Sequence, residues 1–202
     1  MSASGLAWVL SNASSALQAR SALTPSALAH GELWRLWTGH LVHFGGAHLR
    51  GDLLAFLVWA ALLERESRAA LGRVLLLGAP LLSLSVLLAY PGLTQYRGLS
   101  GLDCSLVVAL IFRRGLANQR RRSLGVVCLA CFAAKCGYEL VTGHAILAPD
   151  LGAGVKLLPL AHLFGAAFGV VDSAMRVLTN LRTSARGKGF SGLKCKAPAV
   201  ML

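Results

Sequence analysis

Charge is scarce in this chain, and negative charge scarcer still: 14% of its 202 residues are charged, with 8 Asp and Glu against 20 Lys and Arg. A soluble globular domain carries about 25% charged residues, so an ordinary water-facing surface is excluded. Aromatic residues are 7% of the chain and do not interleave the basic runs, which argues against a nucleic-acid reader. No H-E-x-x-H occurs, so the zinc-protease helix motif is missing. Cys128-x-x-Cys131 has no second cysteine pair beside it, as a zinc-binding or redox framework would need. Internal repeats, low-complexity tracts and a second domain are absent. No Lys or Arg precedes Arg20, and no small-residue cleavage site follows a long apolar core, so a secretory leader is not recognisable.

Apolar residues fill the space that charge leaves. They make up 55% of the chain, and the mean hydropathy is +0.63. Read with a window near 20 residues, five apolar runs stand out, at roughly 45–63, 72–90, 99–112, 123–142 and 156–175. A weaker candidate occupies about the first 19 residues, where Gly5 to Leu10 is apolar but Ser and Asn follow. The expected fold class is an all-α, multi-pass membrane protein. Residues 1–182 form its transmembrane domain, and residues 183–202 form a basic cytoplasmic tail without fixed structure. The five cysteines Cys104, Cys128, Cys131, Cys136 and Cys195 read as small apolar residues or free thiols.

The basic residues mark alternate loops. Arg65, Arg68 and Arg73 lie between the first two strong runs, and Arg113, Arg114, Arg120, Arg121 and Arg122 between the third and fourth. Arg176, Arg182, Arg186, Lys188, Lys194 and Lys196 follow the last. The loop near 91–98 has only Arg97, and that at 143–155 has no Lys or Arg. By the positive-inside rule the basic loops are cytoplasmic. The net charge of +12 is then a topology signal and a lipid-headgroup contact, with no nucleic-acid partner.

That topology sends the runs beginning near 45, 99 and 156 from outside to inside. His48, Ser100 and His162 each fall within about two turns of the outer end of their run, roughly 5–10 Å deep at 1.5 Å per residue. A hydroxyl next to an imidazole is the minimum for nucleophilic hydrolysis, and ionisable groups inside a membrane point to function. Each residue also has a plainer reading. Ser100-Gly-Leu-Asp103 fits a helix capping box, although Gly98 and Gly101 leave more room around the hydroxyl than a cap requires. His162 can be a buried polar group bonded to a neighbouring helix. Gly165 and Gly169 form a G-x-x-x-G stripe, for close helix packing inside the chain or across a dimer. His48 and Asp52 share a helical face at i, i+4, where a donor can hold an oxyanion or serve a loop network. His40, His43 and His48 together raise a zinc site, but without its motif; the reading is no metal and no cofactor. Lys135 and Glu139, also i, i+4, read as an intrahelical ion pair.

The strings Gly31 to His40, His43-x-x-x-x-His48, Tyr96-Arg97-Gly98-Leu99-Ser100-Gly101 and Ala161-His162-x-x-Gly165-x-x-x-Gly169 occur together in this order. In them, over about residues 32 to 175, the chain resembles the rhomboid family of intramembrane serine proteases, and most of all its rhombosortase branch, a resemblance carried by Gly31 to His40 and Tyr96 to Gly101 with Lys135 to Glu139 on the fifth span. The resemblance implies a six-transmembrane-helix bundle, with the first helix the weakest match. It also implies Ser100 as nucleophile, His162 as general base and His48 as an oxyanion donor, supported by Gly98 and Gly101. It further implies cleavage of membrane-anchored proteins near a C-terminal glycine-glycine signal followed by an anchoring helix. The setting would be a bacterial inner membrane, with the active site towards the periplasmic face. Asp52 departs from the pattern: rhomboids typically carry Asn there, and an ionised carboxylate repels an oxyanion. That departure supports an alternative, an inactive rhomboid-like protein that binds transmembrane partners without cutting them. An unrelated transporter or structural membrane protein is a third reading, for which Lys135 and Glu139 are the only candidate pair of charges along a water path.

Overall fold

The computed structural model describes residues 3–146, 155 and 157–191. Every regular element among them is helical, apart from one antiparallel bridge between Leu23 and Tyr96. Four stretches are long and apolar enough to cross a membrane, Gly46–Glu66, Arg68–Ala89, Gln119–Thr142 and Pro159–Asn180. The chain is an all-helical, multi-pass membrane bundle, as its composition predicts.

The weak first segment breaks into α1 (Ala3–Ser11) and α2 (Ser15–Ser21). The break comes where Ser14 turns its side chain onto the Leu17 N–H as an N-cap. Nine residues rise only about 14 Å, less than half of a roughly 30 Å hydrocarbon layer, so α1 alone does not span. It packs instead on α5 (Gly46–Glu66), with Ala7 fully buried. Between them lie α3 (Pro25–Ala29), α4 (Arg35–Thr38) and a 3-10 turn, Gly39–Leu41. Arg35 holds this region together. Its guanidinium donates to the Ala19 and Ala22 carbonyls at 2.7 Å each and to Glu32.

Ser67 ends α5 and caps α6 (Arg68–Arg73) through the Ala70 N–H. A π-helical stretch, Val74–Gly78, leads into α7 (Ala79–Ala89). Pro80 explains the irregularity, since it has no N–H to give the carbonyl four residues back. That carbonyl, on Leu76, accepts the Trp37 indole N–H at 3.2 Å instead. A second π stretch, Ile111–Leu116, extends α8 (Ser100–Leu110). Next come α9 (Arg122–Thr142), stopped by the left-handed Gly143, and α10 (Pro159–Ser191).

The helix α8 is the axis of the bundle. Nine of its 11 residues are buried, the sign of a helix enclosed on all sides, and it packs chiefly on α10 and α5. Leu99, Leu102, Leu106 and Ala109 meet Phe56, Leu63 and Val74 in the core. By contrast Leu88 and Val141 are 82% and 87% exposed, a surface suited to lipid. Towards the far end of α10, Asp172 pairs with both Arg73 and Arg113, tying three segments about 15 Å along the helix from His162. The expected helix starts agree within a few residues, but α10 runs past 175 to Ser191. Residues 147–154 of the loop without Lys or Arg lie outside the described residues, as do 192–202 of the basic tail.

Candidate active site

Ser100 is the first residue of α8, and its side chain does not cap that helix. Its hydroxyl lies 3.0 Å from His162 Nε2. The N-terminal amides are served from another helix: Leu99 N–H and Ser100 N–H donate to Asp52 Oδ2 on α5, at 3.0 and 3.1 Å. A carboxylate at a helix N-terminus also suits the helix dipole. The capping box suggested by Ser100 and Asp103 is therefore not formed. Asp103 is buried, with Oδ1 lacking a hydrogen-bond partner among the described residues.

Close packing of α10 on α8 brings His162 to Ser100. A Cβ on Gly165 would collide with the Gly101 carbonyl, and one on Gly169 would lie 2.6 Å from the Ser105 carbonyl oxygen. Gly101 is equally constrained, since its Cβ would fall 2.8 Å from Leu82. The G-x-x-x-G stripe is thus used inside the chain. Gly98 has φ +121, and a Cβ there would be 3.0 Å from the His48 ring. Only glycine suits that backbone and that distance together.

The other nitrogen of His162 faces Glu139, which the sequence offers as an intrahelical partner of Lys135 and within the rhombosortase-like segment Lys135 to Glu139 but with no role at the serine. His162 Nδ1 is 2.8 Å from Glu139 Oε2, and Glu139 is 1% exposed. Lys135 Nζ does pair with the same oxygen, at 2.7 Å, and lies 3.2 Å from Nδ1. A serine hydroxyl, an imidazole and a buried carboxylate therefore stand in line. With Nδ1–H donating to Glu139, Nε2 keeps a lone pair for the Ser100 proton. The signal for Glu139 was present, since a carboxylate in an apolar helix points to function, but its partner is on another helix.

His48 and His43 flank the start of α8. Nε2 of each lies 3.2 Å from Asp52 Oδ2, and their rings meet edge to face at 5.0 Å. His40, the third histidine of the zinc reading, is set apart from these. It is fully buried, 3.0 Å from both the Ala79 carbonyl oxygen and the Ser83 hydroxyl. Loss of solvation outweighs its hydrogen bonds to the Ala79 and Gly98 carbonyls, and lowers its pKa from 6.5 to about 4.

A cleft of about 830 Å³ opens onto these groups, with Phe44, His48, Tyr96, Arg97, Ser100 and His162 in its wall. Arg97 lies over the Phe44 ring at 5.2 Å. Ser100, His162 and Glu139 stand in the order that acyl transfer requires of a nucleophile, a base and a group that orients the base, while the N–H groups of Leu99 and Ser100 beside the hydroxyl are held by Asp52. A family model described as Rhomboid domain matches residues 30–178. No curated protein matches the chain.

Proposed function

Because the chain belongs to the rhomboid family of intramembrane proteases, we propose that it is an active serine endopeptidase working inside the bilayer. One observation carries this reading: Ser100 Oγ is 3.0 Å from His162 Nε2 while Nδ1 of the same ring is 2.8 Å from the buried Glu139. A substrate helix reaches the cleft from the lipid and unwinds, which exposes a carbonyl to Ser100. His162 Nε2 takes the hydroxyl proton as the Oγ–C bond forms. The tetrahedral oxyanion is met by His48, and by the Leu99 and Ser100 N–H groups once they leave Asp52 Oδ2 for it. The intermediate collapses, the C–N bond breaks, and His162 returns the proton to the leaving amine. Water then hydrolyses the acyl-enzyme by the same route.

Orientation follows from charge. Arg113, Arg114 and Arg120 to Arg122 favour the cytoplasm for their loop, which turns Ser100 towards the periplasmic side of a bacterial inner membrane and leaves the basic residues after 182 in the cytoplasm. The strings Gly31 to His40 and Tyr96 to Gly101 resemble the rhombosortase branch. They support substrates with a C-terminal glycine-glycine signal ahead of an anchoring helix.

One observation favours the second reading, a binder that does not cut: the Asp52 carboxylate holds the two N–H groups that an oxyanion needs. Cleavage of a reconstituted substrate decides between them. Proteoliposomes carrying the protein and a tagged glycine-glycine helix should release a shortened product, and Ser100→Ala should release none. A product formed equally by Ser100→Ala would overturn the proposal.

A further inference from the structure

Beside the serine and its base, two imidazoles and a carboxylate converge on one point. His43, His48 and Asp52 are all buried, and one ligand-capable atom from each lies within 4.8 Å of the other two. Both histidine Nε2 atoms are 3.2 Å from Asp52 Oδ2. Tetrahedral zinc, with bonds of about 2.0–2.1 Å, needs ligand atoms about 3.3 Å apart. The same Oδ2 accepts the Leu99 and Ser100 N–H groups, so four nitrogens crowd one oxygen that has two lone pairs. A cation would relieve that crowding by turning two of those nitrogens into ligands. No hydrogen bond engages His48 Nδ1 among the described residues, so Nδ1 can carry the single ring proton of a neutral imidazole whose Nε2, already 3.2 Å from Asp52 Oδ2, ligates the metal. The cleft wall includes His48 and gives an ion a way in. Aspartate at position 52 is what completes the set, because a carboxylate with two imidazoles suits a transition metal and a neutral amide does so poorly.

We propose that His43, His48 and Asp52 form a zinc-binding site, and that zinc bound there reversibly switches off Ser100. The second half rests on the protease reading. Ligation and catalysis compete for one atom: His48 Nε2 must carry a proton to donate to an oxyanion, and must lose it to bind zinc. His40 takes no part, since its ring is engaged by Ala79 and Ser83.

Cobalt(II) in place of zinc tests the site without any need for activity. Ser100→Ala protein, stripped with EDTA, should bind one equivalent and show the visible d–d bands of a tetrahedral centre, and zinc should displace it. His43→Gln and Asp52→Asn, added to that background, should each weaken binding at least tenfold. His43→Gln keeps the test valid if Asp52→Asn, which alters the α8 cap, does not fold. Absence of cobalt binding would overturn the site. So would a thiolate charge-transfer band, which would assign the metal to the exposed Cys128 and Cys131. The switch is read on protein with Ser100 intact: zinc should slow fluorophosphonate labelling at least tenfold, EDTA should restore it, and zinc should slow His43→Gln no further. Labelling that ignores bound zinc, or accelerates with it, would overturn the switch. Labelling absent without zinc would overturn the protease reading and leave the metal site standing.

Discussion

Changing Glu139 to Gln removes one charge and almost no volume, and the consequence follows from three distances. Oε2 of Glu139 is 2.8 Å from His162 Nδ1 and 2.7 Å from Lys135 Nζ, and Nζ is 3.2 Å from Nδ1. With the carboxylate present, the favoured tautomer has Nδ1–H donating to Glu139 and a lone pair on Nε2 facing Ser100. With an amide present, the Gln NH₂ or the Lys135 ammonium can donate to Nδ1. The ring proton then moves to Nε2, where it blocks the base. There is also a charge effect: a carboxylate about 4 Å from the imidazolium formed during reaction contributes about 4 kcal/mol at an effective dielectric constant of 20. Lys135 cancels part of that, so the tautomer dominates, and loss of the corresponding carboxylate in a serine protease triad costs about 10⁴ in turnover. Glu139→Gln should therefore lower kcat by roughly 10² to 10⁴ while KM changes less than about threefold, measured on a fluorogenic transmembrane peptide in proteoliposomes. Adding Lys135→Met should recover part of the loss, because the competing donor is gone. Turnover of Glu139→Gln within threefold of wild type would show that Glu139 serves only as a partner for Lys135.

Three further outcomes follow from the same geometry. Gly165→Ala drives a methyl group into the Gly101 carbonyl, so it should lower stability by about 1–3 kcal/mol and slow fluorophosphonate labelling by separating α10 from α8; Gly137→Ala, which meets nothing within 4 Å, should change neither. Below pH 6.5 unfolded His40 binds a proton that the folded form refuses until about pH 4, so stability should fall as pH drops across that window by roughly 3 kcal/mol; thermal unfolding in detergent should show a shallower pH slope for His40→Gln, and an equal slope would refute the assignment. Asp172→Asn leaves the buried Arg113 guanidinium without its charge partner and should cost about 3–5 kcal/mol, while the labelling rate of the folded protein, read beside its melting curve, stays at the wild-type value.

The helical bundle was legible because lipid-facing and core-facing residues are both apolar here, so spans such as Gly46–Glu66 stand out by length alone. What depends on chain segments distant in sequence was not. The capping box at Ser100 satisfies every local rule, yet its amides go to Asp52, 47 and 48 residues earlier. Lys135 and Glu139 are indeed an i, i+4 pair; that Glu139 also meets His162 depends on how α9 lies against α10, which no local pattern records. The π stretch at Val74–Gly78 leaves the hydropathy of its span unchanged, and only Pro80 marked it. His40 and His43 look alike in sequence. Burial against Ala79 and Ser83 separates one from the other.

The claim at the centre of this account is that Ser100 is an activated nucleophile, and covalent labelling tests it without knowledge of the substrate. Purified protein in detergent is treated with a fluorescent fluorophosphonate beside Ser100→Ala and His162→Ala, each checked for folding by its melting curve, with an active rhomboid as control. An activated Ser100 gives a labelled wild-type band and no label on either folded variant. An unlabelled, folded wild-type protein beside a labelled control would contradict it.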